Sequence, residues 1–163
     1  MARFIIFLLL AIALVAIALI IAGQSGLLRG QAPSDLGVSD GKLKRPSNTQ
    51  NSVSSQAALW PEHPQRAYAD IAPFKFVNAD ADATMFAIAK ALAAMPNTVI
   101  VRQDSSYIYA QSTTALLKFT DDIEFALDAA QGLVHVRSAS RLGQKDFGVN
   151  RKRVEAIRLA IGQ

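Results

Sequence analysis

The densest group of side chains able to do chemistry lies near the C-terminal end: Arg137, Ser138, Ser140, Arg141, Asn150, Arg151, Lys152 and Arg153. Guanidinium groups present forked N–H donors that fit phosphate and carboxylate oxygens, and serine hydroxyls add further hydrogen bonds. That chemistry is anion binding. Arg151, Lys152 and Arg153 fall in the first turn of a predicted final helix that Asn150 would cap. Cations there oppose the helix dipole by about 0.3–1 kcal/mol each. A local rule broken in this way points either to a site or to a hidden partner. Free backbone N–H groups together with three cations would hold an anion. Alternatively, Asp121, Asp122 or Asp146 neutralises these arginines inside the fold. Both readings stand at this level.

The acidic run Asp121-Asp122-Ile123-Glu124 offers a second chemistry. Asp122 and Glu124 are two apart on a predicted strand, so their side chains share a face about 7 Å apart. Paired carboxylates at that separation suit general acid/base catalysis of the inverting-glycosidase kind. The same pair also suits the charged outer face of an amphipathic strand. Asp121 shares parity with Phe119 and Ile123 and should point inward. A buried carboxylate needs a partner, unless a bulge at Thr120-Asp121 turns it out. An enzyme built here would combine Asp121 or Asp122 with Arg137, Ser140 and Arg141 in a polar cleft.

Other candidates are weak. His63 and His135 stand alone, without a second histidine at ligand spacing, and the chain has no cysteine. No metal site and no cofactor is expected. Gly143 to Gly148 precedes a helix but lacks the Gly-Lys-Ser/Thr ending of a phosphate loop. The serines of Asn51 to Ser55 lack the glycines of a nucleophile elbow. They read as a backbone-capping loop.

These groups need elements to position them. From Asp80, apolar residues recur at helical spacing: Ala81, Met85, Ile88, Leu92 and Met95. Asn78 or Asp80 can cap that helix, and Pro96-Asn97 stops it. Alternation follows at Thr98 to Arg102 and Tyr107 to Gln111, a hairpin around Asp104-Ser105-Ser106. Two more alternating runs cover Leu116 to Leu127 and Leu133 to Ser140, with Val134 and Val136 inward and His135 and Arg137 outward. The last helix puts Val154, Ile157 and Ile161 on one side. The order predicts an α+β domain with an antiparallel sheet of about four strands flanked by two helices.

One hundred and sixty-three residues fit one such domain plus an appendage. The appendage is Phe4 to Ala22, 19 residues without a charged or polar side chain. As a helix it spans roughly 28 Å, close to a bilayer's hydrocarbon core. It exceeds the usual secretory h-region, so we read an uncleaved anchor, although Ala22-Gly23-Gln24-Ser25-Gly26 resembles a cleavage site. The expected division is an anchor at 1–22, a flexible linker with the Asn-Ser-Val-Ser-Ser loop at 23–59, and a globular domain at 60–163, with Trp60 packing onto it. Residues 1–45 carry +3, residues 46–131 carry −4 and residues 132–163 carry +5. An acidic middle and a basic end suggest internal complementarity or a basic face for an anionic partner. No nucleic-acid-binding pattern accompanies that charge.

Three stretches carry a resemblance: Phe119-Thr-Asp-Asp-Ile-Glu-Phe125, Arg137-Ser-Ala-Ser-Arg-Leu-Gly143, and Asp146-Phe-Gly-Val-Asn-Arg-Lys-Arg153. With Asn51-Ser-Val-Ser-Ser-Gln56 and Ile71-Ala-Pro-Phe74, they resemble the bacterial and plastid family catalogued as domain of unknown function 1499. The resemblance runs from about Leu43 to Ile161. The family's N-terminal signature typically holds two cysteines. Here the second is Ser52, and the earlier one falls at or near Arg45. The resemblance implies no activity.

The expectation is therefore a membrane-anchored, noncatalytic binding module of the cell envelope. Its lipid partner is the bilayer, through Phe4 to Ala22. Its basic surface would take an anionic lipid headgroup or an envelope protein, and no nucleic acid. The candidate ligand residues are Arg137, Ser138, Ser140, Arg141, Asn150, Arg151, Arg153 and Asp121. Arg3 before the span favours a single pass with the N-terminus inside and the domain exported, on the periplasmic side of a bacterial inner membrane. The alternatives are the enzyme described above and a structural subunit assembling through Ala11, Ala13, Ala16 and Ala18 of the span.

Overall fold

The computed structural model describes residues 1–163. Its elements are α1 (Ala2–Gln24), β1 (Ser52–Ser54), α2 (Arg66–Ala69), β2 (Phe74–Lys75), α3 (Ala81–Ala94), β3 (Thr98–Gln103), β4 (Tyr107–Thr113), β5 (Thr120–Asp128), β6 (Leu133–Ser140) and α4 (Val149–Ala160). The apolar run forms α1 without interruption, and this helix is long and apolar enough to cross a membrane.

The sheet is antiparallel and six-stranded, in the order β1-β6-β5-β4-β3, with β2 also on β6. The expectation of about four strands corresponds to β3 through β6. The two additions are short. Ser52–Ser54 pairs with Arg137–Ala139, and Phe74–Lys75 pairs with Leu133–Val134, end to end along one edge of β6. Segments of three and two residues carry no readable period of alternation.

One face of the sheet carries the main core. Ile108, Ile123, Phe125, Val134 and Val136 pack there against Met85, Ile88 and Leu92 of α3 and Val154 and Ile157 of α4. Phe74 meets Phe125 edge to face. Asp80 caps α3 as expected, its carboxylate accepting from the Ala83 N–H. The helix stops at Pro96, and Asn97 turns the chain with φ +55°.

The second face was expected to be a solvated charged surface. It is covered. The segment read as a linker crosses it, placing Leu43, 2% exposed, on Tyr107 and Ala126. The Leu43 N–H donates to Gln56, and the Gly37 N–H donates to Glu124. Asp122 and Glu124 are consequently 1% and 0% exposed. Trp60 is half-buried at the edge of this layer. The stretch Leu116–Phe119, read as the start of a strand, is a turn with Lys118 at φ +57°. The strand begins at Thr120.

Candidate functional site

Alternation along β5 and β6 sends neighbouring residues to opposite faces, so the candidate residues divide into two groups. On the helix face, Asp121 points inward with Ile123. Register between β5 and β6 is continuous from Asp121↔Ser140 to Asp128↔Leu133, so no bulge turns it out. Asp121 receives Arg153 at 2.6 Å. Arg153 also donates to Asn150 Oδ1 at 2.9 Å and to the Ser138 hydroxyl at 3.2 Å. The Asn150 amide donates to the Asn51 carbonyl, the Ser140 hydroxyl and Asp146. Asp121, Ser138, Asn150 and Arg153 thus close on one another. Arg151 is occupied by the Tyr68 and Asp70 carbonyls.

The unusual entry to the last helix has an internal answer. The cap is Gly148 in a left-handed conformation, not Asn150, which lies buried one residue inside the helix. The capping acid is Asp146. Its carboxylate accepts from the Gly148 and Asn150 N–H groups at 3.0 Å each, and from the Tyr68 hydroxyl. Burial pushes its carboxyl up, but these donors outweigh burial and hold it below its ordinary value of 3.8. A depressed carboxyl adds stability that is present above pH 3.8 and is lost as the pH falls through the folded value. Asp146→Asn should therefore cost about 1–2 kcal/mol at neutral pH. It should also flatten the decline of stability below about pH 4. Denaturant unfolding of the full chain in micelles, at neutral and acid pH, measures both.

On the second face lies a cavity of about 280 Å³ lined by Lys44, Arg45, Asp122, Arg137, Ser140 and Arg141, with Gln31 and Pro33 at one side and Ser47 and Asn48 at another. Arg141 grips Asp122 through two bonds, Nε at 2.9 Å and Nη2 at 2.7 Å, and this bidentate pairing, ahead of the cost of burial, raises the arginine's pKa. The Tyr109 hydroxyl donates to the same carboxylate at 2.6 Å. Lys44 pairs with the exposed Asp35. Arg45 is exposed and has no acidic partner.

Arg137 is different. It is 3% exposed, and its one hydrogen bond runs from Nε to the Arg45 carbonyl at 3.3 Å. Glu124 approaches Nη1 only to 3.6 Å, outside hydrogen-bond distance, and both Nη1 and Glu124 Oε2 are buried without a partner. Glu124 instead accepts at Oε1 from Tyr107 and Gly37, each at 2.7 Å. Burial lowers the pKa of Arg137 and raises that of Tyr107. A guanidinium has five N–H donors. On Arg137 only Nε–H makes a hydrogen bond within the protein; Nη1 has the longer ion pair with Glu124, and Nη2 has no hydrogen-bond partner.

Arg137 and Arg141 therefore meet at the cavity, while Ser140, although it borders the cavity, turns its hydroxyl to Asn150 on the opposite face. Ser138, Asn150, Arg153 and Asp121 meet on the opposite face of the sheet, and Arg151 meets neither group. Sequence reasoning missed Lys44, Arg45, Glu124 as the acid behind Arg137, and Asp146 as the cap. The basic triplet Lys42, Lys44, Arg45 was the available signal for the first two. The serines of 51–55 act as backbone caps: Ser52, Ser54 and Ser55 accept from the N–H groups of Ser47, Gln56 and Val136. His135 sits between the Ser55 hydroxyl and Asp128.

No curated protein and no solved structure matches this chain. Residues 42–161 match the family described as a protein of unknown function, DUF1499, a match that includes Leu43, Lys44 and Arg45 of the layer over the second face but not its residues 31–41. The chain belongs to that family.

Proposed function

We propose that the protein is a membrane-anchored, noncatalytic binding module whose cavity between the sheet and residues 31–48 takes the phosphate or carboxylate group of an anionic ligand. The observation that carries this reading is Arg137: a buried guanidinium at a polar cavity, whose Nη1 faces Glu124 at 3.6 Å without a hydrogen bond and whose Nη2 makes no hydrogen bond within the protein. Buried donors in native proteins are nearly always satisfied. An oxyanion seated beside Arg137 would satisfy them, with Arg45 and Lys44 at the rim. A ligand-bearing lipid is the natural source for a domain tethered at a bilayer, and free phosphate presents the same chemistry.

An enzymatic reading finds less support. Asp122 has its oxygens engaged by Arg141 and Tyr109, which leaves no free base. Asp121 faces the other side of the sheet, paired with Arg153. The topology that accompanies this reading has the N-terminus inside and the domain exported at the cell envelope. Arg3 directly precedes the span, and Arg29 is the only cation between Gln24 and Gly41.

Calorimetric titration of the full chain in micelles tests the reading. Inorganic phosphate should bind, and Arg45→Gln with Lys44→Gln should weaken it about tenfold without altering the unfolding midpoint in ligand-free buffer. Short-chain phosphatidylglycerol binding more tightly than phosphate assigns the source to a lipid, and the reverse order assigns it to a free anion. Equal, weak heats for the wild-type chain and the rim variant would overturn the proposal.

A further inference from the structure

The end of α1 is seated on the domain. Gln24 donates from Nε2 to the Leu116 carbonyl at 3.0 Å. Gly23 lies so close to the turn at 117 that a Cβ there would stand 2.6 Å from the Leu117 carbonyl oxygen. After the helix the chain stays on the same side. A Cβ on Gly30 would meet the Arg141 Cβ at 2.8 Å and the Leu142 Cγ at 3.1 Å. The place where α1 ends is therefore a defined point on the domain, between the 115–119 turn and the 141–149 loop.

Apolar side chains crowd that place and face outward. Leu27 is 76% exposed, Leu116 58% and Phe147 86%, with Leu142 and Val149 also exposed. Phe119, Leu142, Phe147 and Val149 rim a groove of about 310 Å³. The two carboxylates in that groove are already engaged, Asp121 by Arg153 and Asp146 by the helix N–H groups. Phe147 holds φ +53°, in the left-handed region, and still presents its ring to the outside. Arg29, Lys118 and Lys145 lie in the same two loops and the segment after α1, and none of them has an acidic partner. Apolar rings ringed by unpaired cations, at the mouth of a membrane-length helix, match the chemistry of an anionic bilayer interface.

We propose that the domain lies on the bilayer through this surface, with Leu116, Leu142 and Phe147 in the interface and Arg29, Lys118 and Lys145 among the headgroups. The proposal rests on α1 spanning the membrane and is independent of the anion cavity. It holds the domain in one orientation. That orientation brings Gln31 and Pro33, at the side of the anion cavity, within a few residues of the lipid surface.

The chain has no cysteine, so single replacements can be labelled without background. Leu14→Cys in the span, Leu116→Cys and Phe147→Cys at the proposed surface, and Ser105→Cys at the far hairpin would each carry an environment-sensitive fluorophore. The full chain would be placed in vesicles of phosphatidylcholine with a minor share of phosphatidylglycerol and of lipid bearing a quencher. The proposal predicts severalfold stronger quenching at 116 and 147 than at 105, approaching that at 14. Phe147→Cys replaces a side chain that makes little contact with the fold, so this variant reads the surface without unfolding it. Quenching at 14 with 116 and 147 no better quenched than 105 would overturn the docked orientation while leaving the span intact. Absence of quenching at 14 would overturn the span and the docking together.

Discussion

Arg153→Met is expected to destabilise the domain by about 3–5 kcal/mol, the cost of stranding a buried charge. Arg153 and Asp121 are 9% and 7% exposed in their side chains and meet at 2.6 Å. The methionine would leave Asp121 buried beside Ile123 with no cation and would remove donors from Asn150 and Ser138. The double variant Asp121→Asn/Arg153→Met strands no charge. It should recover a large part of the loss, so that the two sites couple by about 2 kcal/mol or more. A solvent-exposed pair would couple by less than about 1 kcal/mol. Denaturant midpoints of the four chains measure the coupling. Phosphate affinity should stay unchanged throughout, because the pair lies across the sheet from the cavity.

Glu124→Gln should act on the other face, and in two directions. Glutamine can keep its carbonyl oxygen where Oε1 accepts from Tyr107 and Gly37. It removes the negative charge that lies 3.6 Å behind Arg137. A unit charge about 8 Å from a bound anion contributes about 2 kcal/mol at an effective dielectric of about 20. Phosphate should therefore bind at least about tenfold more tightly. The ligand-free domain should be less stable by about 1–3 kcal/mol, since a buried guanidinium has lost its countercharge. Added phosphate should restore that stability through mass action on the folded state. Calorimetry and the phosphate dependence of the unfolding midpoint give both numbers. Tighter binding with lower stability would separate the cavity from a plain structural ion pair, for which the variant would lose stability and gain no affinity.

Much of this arrangement could be read from residue patterns, and the exceptions have identifiable causes. The apolar spacings of α3 and α4 and the alternation of β4 through β6 follow from burial on one side, which periodicity records directly. For the same reason Asp121 was legible as inward-facing. Periodicity also separates the two faces of a strand, but it does not reveal what covers the polar one. Asp122 and Glu124 read as solvated because only Leu43, in a polar stretch, marks the layer above them. That layer is held mainly by backbone donors such as the Gly37 and Leu43 N–H groups, and backbone donors leave no trace in side-chain composition. The entry to α4 was misplaced for a related reason. Asn150 has the chemistry of a cap, but the left-handed Gly148 lets Asp146 reach the free N–H groups first.

The arginines that answer to an anion distinguish the cavity from the entry of α4. Nitrogen-resolved NMR of the arginine side chains, in the full chain in micelles, observes each guanidinium as inorganic phosphate is added. The Nε–H of Arg137, held by the Arg45 carbonyl, provides a protected signal. Saturable shifts at Arg137, Arg141 and Arg45, with Arg151 and Arg153 unmoved, are the predicted result. Shifts at Arg151 and Arg153 with Arg137 unmoved would place any anion at the helix entry instead and contradict the assignment of the cavity.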